Sequence, residues 1–256
     1  VHLFHDALVS FAERWIIFME RQPKNEKLLQ YFKDICLIPR QTGDEEAISQ
    51  YLLDFAKARG LQAERDAHHN VLIRKPSTIP GYKGPTVIVQ GHMDIVYEKS
   101  ADSTHKYEDG IHVVEEDGYL KSADGTSLGA DNGLAVAYAM DLLDRNDLPL
   151  PALEILITSS EEVGLEGVKH LELTDVKGSY LINLDAEEEG VFFTSCAGGV
   201  RTDLSLPLKY TGSTEDITYT LTLCGLNGGH SGLDIALGKA NAIQLVGRIL
   251  YHIAPF

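Results

Sequence analysis

An imidazole and a carboxylate two positions apart, His92 and Asp94, follow the apolar run Val87-Ile88-Val89. In an extended chain that spacing sends both side chains to the same side. Such a pair serves as a zinc ligand with the carboxylate that orients it, or as a solvated ion pair at a strand end. Two further apolar runs also end in carboxylates. Leu153-Glu154-Ile155-Leu156-Ile157-Thr158 leads to Ser160-Glu161-Glu162, and Tyr180-Leu181-Ile182-Asn183-Leu184 leads to Asp185. Between the first of these three runs and the second, Gly129-Ala130-Asp131-Asn132-Gly133 opens an alanine-rich helix, where Asp131 is either a ligand or a carboxylate favoured by the exposed N–H groups of the first turn. One such position carries little weight, but three strand ends and one helix start in a sheet whose strand ends converge favour a metal or acid–base centre over independent solvated ends. With no cysteine among the candidates, the set suits a metal site built for hydrolysis rather than a closed structural one. Asp131 can bridge two metals about 3.5–4 Å apart, with the water between them acidified towards neutral pH. Of the adjacent Glu161 and Glu162, one can ligate while the other takes the water's proton.

The elements that must hold these groups are legible as periodicities. Apolar residues recur at Leu28, Leu29, Phe32 and Ile35, a helical stripe closed by Pro39, and again at Ile48, Leu52, Phe55 and Ala56, ending at Gly60. A short strand, Val71-Leu72-Ile73-Arg74, and a Pro/Gly-rich connection over residues 76–85 precede the central strand at 87. Residues 97–122 are polar and aromatic, with Asp117-Gly118 between Val113-Val114 and Tyr119-Leu120 marking a hairpin. Helices are expected over 134–143 and around 165–173. Strands alternating with helices give an α/β sheet, whose ligands gather beyond the carboxyl ends of the strands. The glycines of 125–133 lack the Lys-Ser/Thr of a phosphate loop and the spacing of a dinucleotide fold. After Gly198-Gly199 the pattern changes: strands at 204–208 and 218–223, the loop Gly225-Leu226-Asn227-Gly228-Gly229-His230-Ser231-Gly232 and a helix over 235–251 read as the start of a second domain.

At 256 residues the chain allows one large or two ordinary domains. Its formal net charge of -16 argues against nucleic acid or anionic membrane as partners, which call for clustered Lys and Arg. The run Glu187-Glu188-Glu189 is either a cation site or a solvated face. Cys36, Cys196 and Cys224, odd in number and widely spaced, read as reduced, mostly buried thiols of a cytoplasmic protein. The opening residues are broken by Asp6, Glu13 and Arg14, too polar for a membrane helix, and lack the features of a signal peptide. Residues 1–18 are expected to be an upstream or non-native extension before a start at Met19.

Five stretches taken in order, Gly91-His92-Met93-Asp94, Gly129-Ala130-Asp131-Asn132-Gly133, Ser160-Glu161-Glu162, Asn183-Leu184-Asp185-Ala186-Glu187-Glu188 and Gly228-Gly229-His230-Ser231-Gly232, resemble the successive motifs of the M20 metallopeptidases, in particular the bacterial aminoacyl-histidine dipeptidase branch. The resemblance runs from about residue 20 to the end. It implies a mixed zinc-peptidase sheet flanked by helices over residues 19–199, and over 200–256 the start of an inserted α+β lid and dimerisation domain. It implies two zinc ions, with manganese or cobalt as substitutes: His92 and Asp185 on the first, Glu162 on the second, and Asp131 bridging. Asp94 would orient His92, Glu161 would be the general base, and the Asp131–Asn132 peptide would be cis. His230 would reach a neighbouring subunit's active site in a homodimer and stabilise the oxyanion. The implied reaction is hydrolysis of short unblocked dipeptides, Xaa-His among them, with N-acylated amino acids or tripeptides as the alternative substrates. The family's last zinc ligand, a histidine that follows the lid, has no counterpart here, so the C-terminal part of the catalytic domain is expected to be absent and the chain inactive as it stands.

Overall fold

The computed structural model describes residues 26–171, 176–186, 190–196, 198, 200, 202–209, 212, 219–228 and 235–253. Two compact units divide the chain, Val1–Cys196 and Ala197–Phe256. The first is built on a five-stranded sheet of β1 (Gln62–Arg65), β2 (Val71–Lys75), β3 (Val87–His92), β6 (Leu153–Thr158) and β7 (Tyr180–Asn183), in the order β1-β2-β6-β3-β7. β3 runs parallel to both β6 and β7, while β2 is antiparallel to β6 and to β1. The sheet is therefore mixed, as the resemblance implied.

Hydrophobic patterning explains the layers. α1 (Glu26–Cys36) buries Leu28, Tyr31, Phe32 and Ile35, and α2 (Glu46–Ala58) buries Ile48, Leu52, Phe55 and Ala56. The long helix α3 (Ala130–Asp144) is buried on almost every side, and its Val136, Ala137, Ala139, Met140 and Leu143 join those stripes and Ile73, Val89, Ile155 and Ile157 of the sheet in one core. Burying a side chain such as Ile35, Ile48 or Ile155 contributes about 1.5–3 kcal/mol. All six residues of β6 are buried, the mark of a strand covered on both faces.

Register places the chemistry. Val87 lies level with Leu153 and His92 with Thr158, and the Leu184 N–H donates to Gln90 O (2.9 Å) just past the end of β7. The three parallel strands thus end side by side, and the residues after them leave the sheet at one edge.

Between β3 and α3 the chain makes an excursion over residues 96–128, in which only Gly110 and Ile111 are buried. It holds a 3₁₀ turn (Tyr107–Asp109) and the hairpin of β4 (Val113–Glu116) and β5 (Tyr119–Ser122). The hairpin turns through Asp117 and Gly118, both at positive φ (53° and 80°), as a two-residue loop between right-twisted strands demands. A short helix α4 (Glu166–Lys169) stands where a longer one was expected, and residues 172–175 lie outside the described residues.

The second unit contains a 3₁₀ turn (Ile235–Leu237) and α5 (Ala242–Ile253). Residues 204–208 form no strand; of the strand expected at 218–223, Thr218 lies outside the described residues and 219–223 have no regular structure. Leu204, Leu206 and Leu208 are exposed, and among the described residues of this unit no strand offers their alternation a sheet face or a ladder. Cys36 is buried as expected, but Cys196 and Cys224 are exposed, both in stretches without regular structure. Among the described residues no helix is long and apolar enough to cross a membrane.

Candidate metal centre

The central side chain is His92, at the last position of β3 and nearly free of solvent contact. Its Nδ1 is taken up by Asp94, lying 2.9 Å from the backbone oxygen and 3.4 Å from Oδ1. Nε2 therefore faces the cluster, with Asp131 Oδ1 at 3.2 Å, Asp185 Oδ1 at 3.6 Å and Glu161 Oε2 at 4.0 Å. One oxygen from each of Glu161 and Glu162 lies within 4.8 Å of a His92 nitrogen and of the other, and the same holds for Asp131 and Asp185. The structure thus brings His92, Asp94, Asp131, Glu161, Glu162 and Asp185 together. His230 and the Glu187-Glu188-Glu189 run lie outside the described residues.

Electrostatics follow from packing carboxylates around one imidazole. Burial alone pulls the His92 imidazolium down, but hydrogen bonds to Asp131, Asp185 and Asp94 outweigh it and hold the group up to about 12. Burial pushes Asp94 up, yet bonds from His92, the Glu161 N–H and Thr42 hold its carboxyl below the ordinary value. Glu161 is raised, first by burial and then by the charges of Asp185, Asp94 and Asp131 against the opposing pull of His92. Glu162 is raised by burial and by Asp131. The arrangement is an excess of negative charge around a single cationic ring, and a cation in place of the His92 proton is what such a donor set fits.

Local structure explains why the ligands point inward. Asp94 accepts from the N–H of Glu161 (Oδ1, 3.0 Å) and of Glu162 (Oδ2, 3.3 Å), so it fixes the turn carrying both glutamates as well as His92. Ser160 sits in that turn at φ 50°, with its N–H and hydroxyl donating to the buried Glu45 (3.0 and 2.9 Å). The Asp131–Asn132 peptide is cis, as the resemblance implies. Asn132 accepts from the His92 N–H (3.1 Å) and donates to Leu184 O and Asp185 Oδ1 (both 2.9 Å), so one amide links three of the ligand segments. The glycines of the 129–133 motif have a physical reason. Gly129 lies at φ 72°, and a Cβ on Gly133 would fall 2.5 Å from Arg40 Nη2.

No family model matches the chain. It is 38% identical over 226 residues to the cytosol non-specific dipeptidase of Escherichia coli (strain K12), a match covering 88% of the chain and 47% of that protein. The crystal structure of the aminoacylhistidine dipeptidase from Vibrio alginolyticus superposes with a TM-score of 0.67 at 33% identity, over 89% of the chain and 46% of that one. A tripeptidase from Staphylococcus aureus superposes with a TM-score of 0.54 at 25% identity, over 64% and 44%. The chain is thus similar to dipeptidases over most of its own length, in keeping with the M20 resemblance of its motifs. It spans about half the length of the relatives it matches.

Several residues that position the centre escaped the sequence reading. Arg40, almost wholly buried, donates from Nη1 to Met93 O and from Nη2 to Gly129 O (2.8 Å each), tying the end of β3 to the loop before α3. Thr42 Oγ1 donates to Asp94 Oδ2 (2.9 Å). With Glu45 on Ser160, the segment between α1 and α2 thus grips the β3 end, the loop before α3 and the β6 end at once. Arg40 beside Pro39 offered a faint signal, as a charge next to a helix stop; Glu45 offered none. A cavity of about 370 Å³ lined by Arg65, His68, Leu72, Leu156 and His170 opens elsewhere and includes none of the centre's residues.

Proposed function

We propose that the protein hydrolyses the peptide bond of short unblocked dipeptides, Xaa-His among them, at a centre of two zinc ions, with manganese or cobalt as possible substitutes. The observation that carries this reading is the ring of carboxylates on His92 Nε2, with Asp131 at 3.2 Å, Asp185 at 3.6 Å and Glu161 at 4.0 Å. Imidazole and carboxylate donors without thiolate suit hydrolytic zinc. His92 and Asp185 would hold one ion, Glu162 the other, and Asp131 both. The ions supply Lewis-acid polarisation of the scissile carbonyl and lower the pKa of the attacking water.

The remaining chemistry falls to the chain itself. Asp94 keeps the His92 proton on Nδ1, leaving Nε2 as the ligand atom. Glu161, half-buried with a raised pKa, takes the proton of the attacking water and returns it to the leaving amine. The substrate's free ammonium group would be held by carboxylates at the same edge. His230, from the lid of a neighbouring copy in a homodimer, would donate to the developing oxyanion. The dipeptidase names of the E. coli and V. alginolyticus relatives support the substrate class, and the name of the E. coli relative supports a cytosolic location.

The resemblance to a tripeptidase keeps longer or blocked substrates in view. Comparing turnover of a free dipeptide with that of its N-acetylated form and of a tripeptide separates them. The free dipeptide is expected to be the best substrate, and a preference for the blocked one would overturn the dipeptidase reading.

A further inference from the structure

We propose that His105, His112 and Asp124 form another metal site, apart from the strand-end centre, that takes one divalent first-row transition ion and clips the 96–128 excursion together. His112 Nδ1 lies 3.1 Å and His105 Nε2 3.7 Å from the same oxygen, Asp124 Oδ2, and one ligand atom of each residue lies within 4.8 Å of the other two. Bonds of about 2.0–2.2 Å at tetrahedral angles separate donor atoms by roughly 3.3–3.6 Å, so modest adjustment lets the three share one ion. Two imidazoles and a carboxylate suit zinc, cobalt or nickel better than calcium or magnesium, which prefer all-oxygen cages.

The three side chains are held ready. Asp124 Oδ2 also accepts from the His112 N–H (2.9 Å), and Asp124's own backbone is fixed on both sides, its N–H donating to Ser122 Oγ (3.2 Å) and its carbonyl accepting from Ser103 Oγ (2.6 Å). The His105 side chain is only 6% exposed, with Nδ1 2.8 Å from the Tyr97 hydroxyl, the kind of partner that sets the tautomer of a metal-binding histidine. Nε2 of His105 also lies 2.6 Å from Gly110 O, a bond an ion would displace. The Tyr97 hydroxyl donates to Nδ1 when the proton is on Nε2 and accepts from it when the proton is on Nδ1, so freeing Nε2 for a metal loses only the Gly110 bond. His112 stands at the surface with its ring 57% exposed, leaving an entry path and room for water to complete the coordination.

The excursion has reason to use such a clip. Its only buried residues are Gly110 and Ile111, too little apolar surface to fix it, and segments of that kind are commonly held by a metal or a disulfide. One ion would join the chain before the 3₁₀ turn, the chain entering β4 and the chain leaving β5.

The test is zinc titration of the metal-stripped protein against a chromophoric chelator, in the wild type and in His92→Ala/Asp185→Ala, each with and without His112→Ala. Removing His112 is expected to lower the stoichiometry by one ion in both backgrounds, Asp124→Asn to do the same, and Tyr97→Phe to weaken that ion at least about tenfold. His112 is exposed, so its removal leaves folding intact, and thermal melting with and without zinc verifies this. If His112→Ala leaves the zinc stoichiometry unchanged in both backgrounds, the proposal fails. Failure of the strand-end reading shows separately, as no difference between wild type and His92→Ala/Asp185→Ala.

Discussion

Gly91→Ala probes how tightly the centre is built. A Cβ on Gly91 would lie 2.4 Å from Asn132 Oδ1 and 2.6 Å from Ala135 Cβ, whereas ordinary contact begins at 3.4 Å. The two neighbours must recede by 1.0 Å (2.4 to 3.4) and 0.8 Å (2.6 to 3.4). Neither is the free end of a flexible side chain, because both belong to α3 and Asn132 is tied to His92, Leu184 and Asp185. Overpacking of this size costs about 1–3 kcal/mol. Leaving the buried His92 N–H without its acceptor costs about another 1–3 kcal/mol. Since one movement relieves part of both, the net loss is put at about 2–4 kcal/mol. Urea unfolding of the metal-free protein should show a lower midpoint at unchanged m-value, and zinc should bind more weakly because Asn132 no longer spaces His92 from Asp185. Ala135→Gly in the same chain opens one of the two contacts, so the double variant should recover about 1 kcal/mol relative to the sum of the singles. A Gly91→Ala protein within about 0.5 kcal/mol of wild type, or a pair of changes that simply adds, would refute this reasoning.

Other consequences follow from the same geometry. Because the metal-free site holds a proton on His92 up to about 12, the zinc that His92 binds should release a proton, and its apparent affinity should rise about tenfold per pH unit near neutrality; calorimetry in buffers of different ionisation enthalpy reads that proton. The raised His92 pKa also stabilises the metal-free fold fully below about 6.5 and progressively less as pH climbs towards 12, so thermal midpoints should fall above pH 6.5, and His92→Gln should flatten that trend. Glu45→Ala leaves the Ser160 N–H and hydroxyl without their acceptor and should cost about 1–3 kcal/mol with loss of zinc affinity, while Glu45→Gln, which keeps an oxygen there, should cost less; equal effects of the two changes would argue against the clamp.

The strands, the helical stripes and the hairpin were legible because burial imposes a period on the sequence. β6 matched its apolar run residue for residue, and Asp117-Gly118 fixed the turn through its need for positive φ. The ligand positions were legible for a related reason, since a charged residue ending an apolar run stands out against its neighbours. What escaped was long-range. Glu45 reaches Ser160 across 115 positions and Arg40 reaches Gly129 across 89, and no local pattern encodes such a partner. β1 (Gln62–Arg65) escaped because it is a polar edge strand defined by its pairing with β2 rather than by its own composition. The strands expected at 204–208 and 218–223 differ for the opposite reason, an alternating pattern with no sheet among the described residues of that unit to receive it.

The measurement that bears most directly on the central claim is release of histidine from an unblocked Xaa-His dipeptide, by a protein carrying this chain at the full length of its relatives, stripped with a chelator and then given zinc, wild type beside Glu161→Gln. The account predicts turnover that zinc restores in the wild type, and a Glu161→Gln protein that binds zinc equally well yet turns over at least about a hundredfold more slowly. Zinc-independent hydrolysis, no turnover with zinc restored, or a Glu161→Gln protein as active as the wild type would contradict it.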